Sequence, residues 1–205
     1  MISYLVYGII VKIILVAMLI GIYLYRDAIS VFFTRDPTKP GKKIDFYFRW
    51  MIDSCNISYK NWFTSIALPI MLVGLYWYYL ISHHAPIVKI DSGILHIVDS
   101  AILSPLWEEI IFRGILLGLT ILLLTKIMYN KLHVKKTRFF EYGLYFVAVG
   151  IISIIFSFFH ESKIDLRYVA GIIFGLVYIA DRKNLLPAII AHTLNNVILL
   201  CFFAN

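Results

Sequence analysis

Residues 105–128 read PLWEEIIFRGILLGLTILLLTKIM, a stretch made almost entirely of apolar side chains. About 20 mainly apolar residues in a helix cross a hydrocarbon core that is about 30 Å thick. The stretch therefore predicts a transmembrane helix. Near its start, two adjacent glutamates and an arginine interrupt the apolar pattern, although charged groups are rare inside a membrane.

Similar apolar stretches occur on either side of this one, at about 4–25, 62–81, 139–159, 168–180 and 185–203. Of the 205 residues, 61% are hydrophobic and 15% are charged, which excludes an ordinary soluble domain. We expect an all-α fold, a polytopic transmembrane helix bundle of about six spans, because a helix satisfies its own backbone groups in lipid. The first stretch is too long for an ordinary secretory signal, so we interpret it as a retained anchor.

We expect two parts along the chain. Residues 1–61 form an N-terminal anchor helix and a basic cytoplasmic loop, and residues 62–205 form the transmembrane bundle. Between His83 and Ser104, apolar residues recur at roughly helical spacing, which predicts a short interfacial or re-entrant helix. Ser104 and Pro105 then suit a hydroxyl cap and the first position of a helix, so the third span is expected to begin there.

The net charge of +7 comes from basic residues concentrated between the apolar stretches. Such clusters can bind nucleic acid, but their position beside predicted spans favours a role in membrane topology. Because short cytoplasmic loops are rich in lysine and arginine, we expect both termini outside the cytoplasm and no nucleic-acid partner. The clusters are Arg26, Arg35, Lys39, Lys42, Lys43, Arg49 and Lys60; Lys126, Lys131, Lys135, Lys136 and Arg138; and Arg182 with Lys183.

The charged residues of the third span lie in WEEIIFR at 107–113. Glu109 and Arg113 are four residues apart and share a helix face, so they can form an ion pair. Glu108 points about 100° away and has no obvious partner on its own helix. An alternative is that both acids lie in a first helical turn near the membrane surface, where they complement the helix dipole. The neighbouring arginine favours a functional role.

Two later stretches also carry polar residues. FSFFH at 156–160 ends with His160, and AHTLNN at 191–196 places His192 and Asn196 four residues apart on one helix face. The alternative for His160 is an interfacial histidine in contact with lipid headgroups. The alternative for His192 and Asn196 is that they are polar residues that hold neighbouring helices together. By helix counting, we expect these residues and the glutamates to meet in the outer half of the bundle.

This set of residue types suits amide hydrolysis. A carboxylate and an imidazole around one water can deprotonate it for attack on a carbonyl carbon. A second imidazole and a carboxamide can donate hydrogen bonds to the oxyanion that forms. No cofactor is needed. Two histidines and two acids could also bind zinc, but no His-Glu-x-x-His helix is present to place two ligands one turn apart. No Gly-x-Ser-x-Gly motif is present and neither cysteine lies near a histidine in the sequence, which disfavours a serine or cysteine nucleophile.

The second half of the chain, at about 105–205, resembles the CAAX protease and bacteriocin-processing family, also called the CPBP or Abi family. The resemblance rests on three motifs that occur in order on successive apolar stretches. They are Glu108-Glu109-x-x-x-Arg113, Phe156-x-x-x-His160 and His192-x-x-x-Asn196.

The resemblance implies an intramembrane glutamic endopeptidase built only from helices. Glu108 and His160 would activate the catalytic water, and His192 and Asn196 would form the oxyanion hole. The second glutamate and the arginine of the first motif would support the site. No metal would be required.

The resemblance also implies a setting and a substrate class. Small bacterial members are linked to the maturation of bacteriocins and pheromones and to self-immunity. We therefore expect a multi-pass protein of a bacterial cell membrane, surrounded by lipid, that cleaves a hydrophobic or lipidated peptide or protein. Trp107, Phe112, Phe156 and Phe159 could line an apolar site or belong to the bundle core. The alternatives are a non-catalytic immunity or scaffold protein and a zinc-dependent hydrolase.

Overall fold

The computed structural model describes residues 10, 12–14, 57–83, 94–160 and 164–203. Residues 10 and 12–14 are helical, and these described ranges otherwise contain helices and short turns, without a strand. We number the helices from residue 57 onward α1 to α5. Their bounds are α1 at Phe63–Ser82, α2 at 94–131, α3 at Arg138–Phe158, α4 at Ile164–Ala180 and α5 at Leu185–Phe203. The prediction of an all-α helix bundle is confirmed.

Three helices are long and apolar enough to cross a membrane: Phe63–Ser82, Asp99–Lys131 within α2, and Arg138–Phe158. The apolar parts of α4 and α5, Arg167–Ala180 and Leu185–Cys201, are shorter. The predicted first span, at about 4–25, lies almost entirely outside the described residues. The full number of spans, the division at residue 61 and the orientation of the bundle therefore stay predictions.

Helix α2 begins three turns earlier than the sequence predicts. The Ser104–Pro105 pair is inside the helix, and the predicted interfacial or re-entrant helix is the first part of α2. Within Asp99–Leu103 the helix widens into π-helical turns, and the backbone N–H of Ser104 donates to Asp99 O. In this pattern each N–H donates to the carbonyl five residues earlier, so Ser100 O would accept from residue 105. Pro105 has no N–H to donate. The side-chain amide of Asn196 on α5 donates to that carbonyl at 2.8 Å instead.

The longer α2 changes the position of the glutamates. Glu108 lies 14 residues after Ile94, about 21 Å along the helix from its first residue. The interpretation of both acids as first-turn residues that complement the helix dipole is therefore wrong.

Close packing of α3 against α4 depends on two glycines. A Cβ atom on Gly175 would lie 2.8 Å from Val149 Cγ1, and one on Gly171 would lie 3.1 Å from Ser153 Cβ. Small residues let helices approach closely in a membrane bundle. Helix α5 then packs on α1, α2 and α4, so that polar side chains from several helices face one another in the interior.

The end of the bundle at the α4–α5 turn is held by a buried polar network. Asp181, which is 3% exposed, accepts hydrogen bonds from Thr64 Oγ1 at 2.6 Å and Ser65 Oγ at 2.9 Å. Asn184 Nδ2 donates to the same carboxylate at 2.6 Å. A buried carboxylate needs such partners, so these bonds fix the start of α1 against the turn.

Lys12 connects the N-terminal region to the first part of α2. Lys12 Nζ lies 2.8 Å from both carboxylate oxygens of Asp99 and 2.7 Å from Ser104 Oγ. Lys12 belongs to the stretch that the sequence predicts to be the anchor helix. The contact therefore joins that helix to the part of α2 that precedes the glutamates.

We expect Lys12→Met to lower the free energy of unfolding by about 2 kcal/mol, because the half-buried Asp99 carboxylate would lose its ammonium partner. Lys12→Met/Asp99→Asn should recover most of that loss. The measurement is a double-mutant cycle of unfolding in detergent micelles. Equal destabilisation by Lys12→Met with and without the Asp99 carboxylate would contradict the ion pair.

Candidate active site

Helix α2 contributes an ion pair that is buried completely. Glu109 and Arg113 are 0% and 1% exposed, and Glu109 Oε2 lies 3.2 Å from Arg113 Nε. The pairing predicted from their spacing is thus present. Arg113 Nη2 donates to Gly171 O at 2.9 Å, and the guanidinium carbon lies 4.6 Å from the centre of the Phe156 ring. Arg113 therefore joins α2 to both α3 and α4.

His192 on α5 is held in one orientation by the same pair. Its Nδ1 lies 2.8 Å from Glu109 Oε1, and because a carboxylate only accepts hydrogen bonds, Nδ1–H donates. The imidazole stacks on Phe174 with 4.6 Å between ring centres and 19° between ring planes. These contacts direct Nε2 of His192 towards the other glutamate, at 3.7 Å from Glu108 Oε2.

Glu108 has its partners on other helices. Its Oε2 lies 3.1 Å from His160 Nε2, just beyond the end of α3. His160 Nδ1 lies 2.8 Å from Phe156 O, and because a carbonyl is only an acceptor, Nδ1–H donates there. The close contact between Nε2 and Glu108 therefore requires one proton between them, carried by either group. Glu108 and His160 side chains are 20% and 18% exposed, unlike the buried ion pair beside them.

Asn196 is placed differently from the histidines. Its Nδ2 donates to Ser100 O at 2.8 Å, and its Oδ1 accepts from Asn195 Nδ2 at 3.2 Å. Trp77 Nε1 on α1 donates in turn to Asn195 Oδ1 at 3.1 Å. Among the residues that the structure describes, the hydrogen bonds of Asn196 go to Ser100 and Asn195. The structure thus brings Glu108, Glu109, Arg113, His160 and His192 into one contact group, with Asn196 attached to a neighbouring chain of hydrogen bonds.

Sequence reasoning missed Trp77 and left the role of Asn195 open. A buried indole N–H needs an acceptor, and Trp77 is only 5% exposed, so a tryptophan within an apolar span is a signal for a polar partner. The adjacent asparagines at 195 and 196 are a second signal. Their connection is not visible in the sequence, because Trp77 and Asn195 are 118 residues apart.

We expect Trp77→Phe to lower the free energy of unfolding by about 1 to 3 kcal/mol, because Asn195 Oδ1 would be buried without its indole donor. Tyr78→Phe is the matched control, since Tyr78 is the next residue and is exposed. Unfolding of both variants in the same detergent measures the difference. If the two variants unfold alike, the indole N–H does not support this hydrogen-bond chain.

The aromatic residues divide into core and surface. Phe112 and Phe156 are buried, with ring centres 5.1 Å apart, so the interpretation of these two as bundle core holds. Phe159, beside His160, is 74% exposed. Within the described ranges, no group of three or more histidine, cysteine, aspartate or glutamate side chains has the geometry to hold a metal ion.

Residues 90–198, more than half of the chain, match the sequence model of a family described as type II CAAX prenyl endopeptidase Rce1-like. The matched range contains every residue of the contact group and Asn196. Neither the curated proteins nor the solved structures include a match to the chain.

Proposed function

Because the chain belongs to the type II CAAX prenyl endopeptidase Rce1-like family and is therefore an intramembrane peptidase, we propose that Glu108 and His160 activate the water that cleaves its substrate. The observation that carries this proposal is the 3.1 Å contact between Glu108 Oε2 and His160 Nε2. These two side chains are partly exposed, whereas the neighbouring ion pair is buried. Glu108 and His160 are thus accessible to a water, and Glu109 and Arg113 are not.

The proposed reaction uses one proton cycle. With the shared proton on His160, a water beside the pair loses a proton to the Glu108 carboxylate as its oxygen bonds to the carbonyl carbon of the peptide. The tetrahedral intermediate then collapses, the C–N bond breaks, and the same proton moves to the leaving amine. The second proton of the water passes from the new carboxyl group to the amine, so the products are a carboxylate and an ammonium group, and the pair returns to its starting state.

His192 is proposed to stabilise the oxyanion. Glu109 accepts from Nδ1, so Nε2–H exists when the ring is an imidazolium, and this ring nitrogen lies on the side of Glu108. The Glu109 carboxylate pairs with Arg113 and also accepts from this imidazolium. The second N–H of the Asn196 amide, beyond the one donated to Ser100 O, is the other proposed donor. One well-placed donor contributes about 3 to 4 kcal/mol to transition-state stability.

The proposed substrate is a short, membrane-associated peptide or protein that is hydrophobic or carries a lipid group. Two observations support this class. The family description names a prenyl endopeptidase, and the exposed Phe158 and Phe159 rings adjoin His160, where an apolar group can contact them. We propose that the protein is a multi-pass protein of a bacterial cell membrane, acting in the maturation of bacteriocins, pheromones or lipidated peptides or in self-immunity.

The test uses purified protein in detergent and an internally quenched CAAX peptide, prepared with and without a prenyl group on its cysteine. We expect cleavage of the prenylated peptide, and a loss of about 10²-fold or more in His160→Gln. His83→Gln is a matched control, because His83 Nδ1 also contacts the carbonyl four residues earlier, Tyr79 O, at 2.9 Å. His83→Gln should keep full activity.

Each assay is repeated with a zinc chelator, and folding of each variant is checked by its unfolding temperature. The proposal expects unchanged cleavage in the chelator. Activity that disappears in chelator and returns with zinc would support a metal-dependent hydrolase instead. Unchanged cleavage by folded His160→Gln would remove His160 from the mechanism. No cleavage of either peptide by the wild type would support the non-catalytic alternative for these substrates.

A further inference from the structure

A cavity of about 470 Å³, lined by both charged and apolar side chains, lies at the opposite end of the bundle from the contact group. Its walls come from the last turns of α2, the segment between α2 and α3, the first turns of α3 and the α4–α5 turn. Glu141 in the cavity wall and His160 in the contact group lie 19 residues apart along the chain, which places them about 28 Å apart along α3. The cavity is therefore separate from the proposed cleavage site.

Three lysines from three different segments line this cavity: Lys126, Lys136 and Lys183. Among the lining residues that the structure describes, Glu141 is the one acid, and it already accepts a hydrogen bond from Tyr145 OH at 2.6 Å. With all three lysines charged, the lining carries a net charge of +2. Such a concentration of positive charge around one cavity attracts an anion.

The backbone holds Lys183 beside the cavity. Arg182 and Lys183 have φ angles of 57° and 62°, a left-handed conformation that costs free energy for residues other than glycine. The neighbouring Asp181 network holds this turn in place. Lys183 Nζ lies 5.3 Å from the centre of the Tyr145 ring. Burial lowers the pKa of the Lys183 ammonium, and the nearby Glu141 carboxylate offsets this only in part.

Tyr129 supplies an independent observation. Its hydroxyl oxygen is buried and has no hydrogen-bond partner among the described residues. A buried O–H without an acceptor costs about 1 to 3 kcal/mol, so such groups usually have a partner. The Tyr129 side chain lines the same cavity, and Lys136 Nζ lies 6.0 Å from the centre of its ring. An anionic oxygen bound between the lysines can accept this hydrogen bond.

The remaining lining indicates the kind of anion. Ile121 and Leu122 lie one to two helical turns before the lysine end of α2 and make one side of the cavity apolar. A ligand that fits is charged at one end and apolar at the other. The lysine end of α2 leads directly into the basic segment 131–138, which suits the level of lipid headgroups. Free phosphate would leave the apolar side unfilled.

We propose that this cavity binds the phosphate headgroup of an anionic phospholipid in the leaflet next to the basic loops. The lysines surround the phosphate, Tyr129 OH donates to one of its oxygens, and the glycerol and first acyl carbons lie against Ile121 and Leu122. Basic pockets between transmembrane helices are suited to such headgroups. The site is independent of the proposed reaction, because no residue of the contact group takes part in it.

The test is lipid binding by the full chain in vesicles, measured with spin-labelled phosphatidylglycerol and spin-labelled phosphatidylcholine. We expect phosphatidylglycerol to be preferred at least about tenfold. Lys136→Gln/Lys183→Gln should remove most of this preference, and Tyr129→Phe should weaken phosphatidylglycerol binding by about fivefold, the effect of one lost hydrogen bond.

The matched control is Lys131→Gln/Lys135→Gln, which removes the same charge from exposed lysines near the cavity that are not in its lining. This variant should keep the preference within about twofold, as expected for rim charges screened by salt. An equal loss in both double variants would show general surface attraction and overturn the site. Displacement of the lipid by millimolar inorganic phosphate would overturn the lipid assignment in favour of a soluble phosphate ligand. Unfolding temperatures in pure phosphatidylcholine verify that each variant is folded.

Discussion

Glu108→Gln is expected to lower kcat for peptide cleavage by about 10³-fold or more, with a much smaller change in KM. The substitution keeps the shape of the side chain and removes its ability to accept a proton from water. General-base catalysis by one positioned group contributes about 10² to 10⁴-fold. The contact with His160 Nε2 at 3.1 Å means that the same substitution also disrupts the shared proton. The measurement is steady-state cleavage of the prenylated peptide over a range of concentrations.

Two comparisons make this result specific. Glu108→Gln should unfold at nearly the wild-type temperature, because the side chain is 20% exposed and the amide can still hydrogen bond. His83→Gln should retain wild-type kinetics, since His83 lies at the exposed end of α1. A folded Glu108→Gln protein with wild-type kcat would exclude Glu108 as the base.

Arg113→Met is expected to lower the free energy of unfolding by about 3 to 5 kcal/mol. Glu109 is 0% exposed and would keep its carboxylate inside the bundle without the guanidinium. Breaking a buried ion pair on one side leaves an uncompensated charge, which costs about this much. The contact between Arg113 Nη2 and Gly171 O is lost as well. Unfolding in mixed micelles with increasing denaturing detergent measures the change.

The double variant Glu109→Gln/Arg113→Met separates charge from packing. Neutralising both partners removes the unpaired carboxylate, so this variant should recover a large part of the lost stability. Arg138→Met is the matched control, because Arg138 is exposed at the first turn of α3, and it should stay within about 0.5 kcal/mol of wild type. A double variant as unstable as Arg113→Met would mean that the arginine acts by packing rather than by charge.

Local spacing was enough to predict part of the site. The family resemblance stated from three ordered motifs is confirmed by the match at 90–198. The four-residue spacing of Glu109 and Arg113 predicts their ion pair, because residues four apart on a helix are neighbours wherever the helix lies. The partners of Glu108 depend on how three helices cross, and no local pattern in the sequence contains that information.

The start of α2 shows why one strong local signal was misleading. Ser104 and Pro105 form a good helix start by themselves, yet remote contacts outweigh them. Asn196 donates a hydrogen bond to Ser100 O, in place of the N–H that Pro105 lacks. Lys12 binds the Asp99 and Ser104 side chains. These partners lie 96, 87 and 92 residues away in the chain, so sequence periodicity alone gives no sign of them.

The buried group around Glu109 also sets a condition on biosynthesis. His192 follows Glu109 by 83 residues, so at about 5 to 20 residues per second a ribosome makes α5 roughly 4 to 17 s after α2. During that interval α2 enters the membrane with its ion pair but without the imidazole that completes it. A nascent chain that stops before Leu185 would keep these charges exposed to lipid or to water. Quality-control proteases of the membrane could therefore recognise an incomplete chain by the exposed charges of α2. Synthesis of α5 would end that exposure.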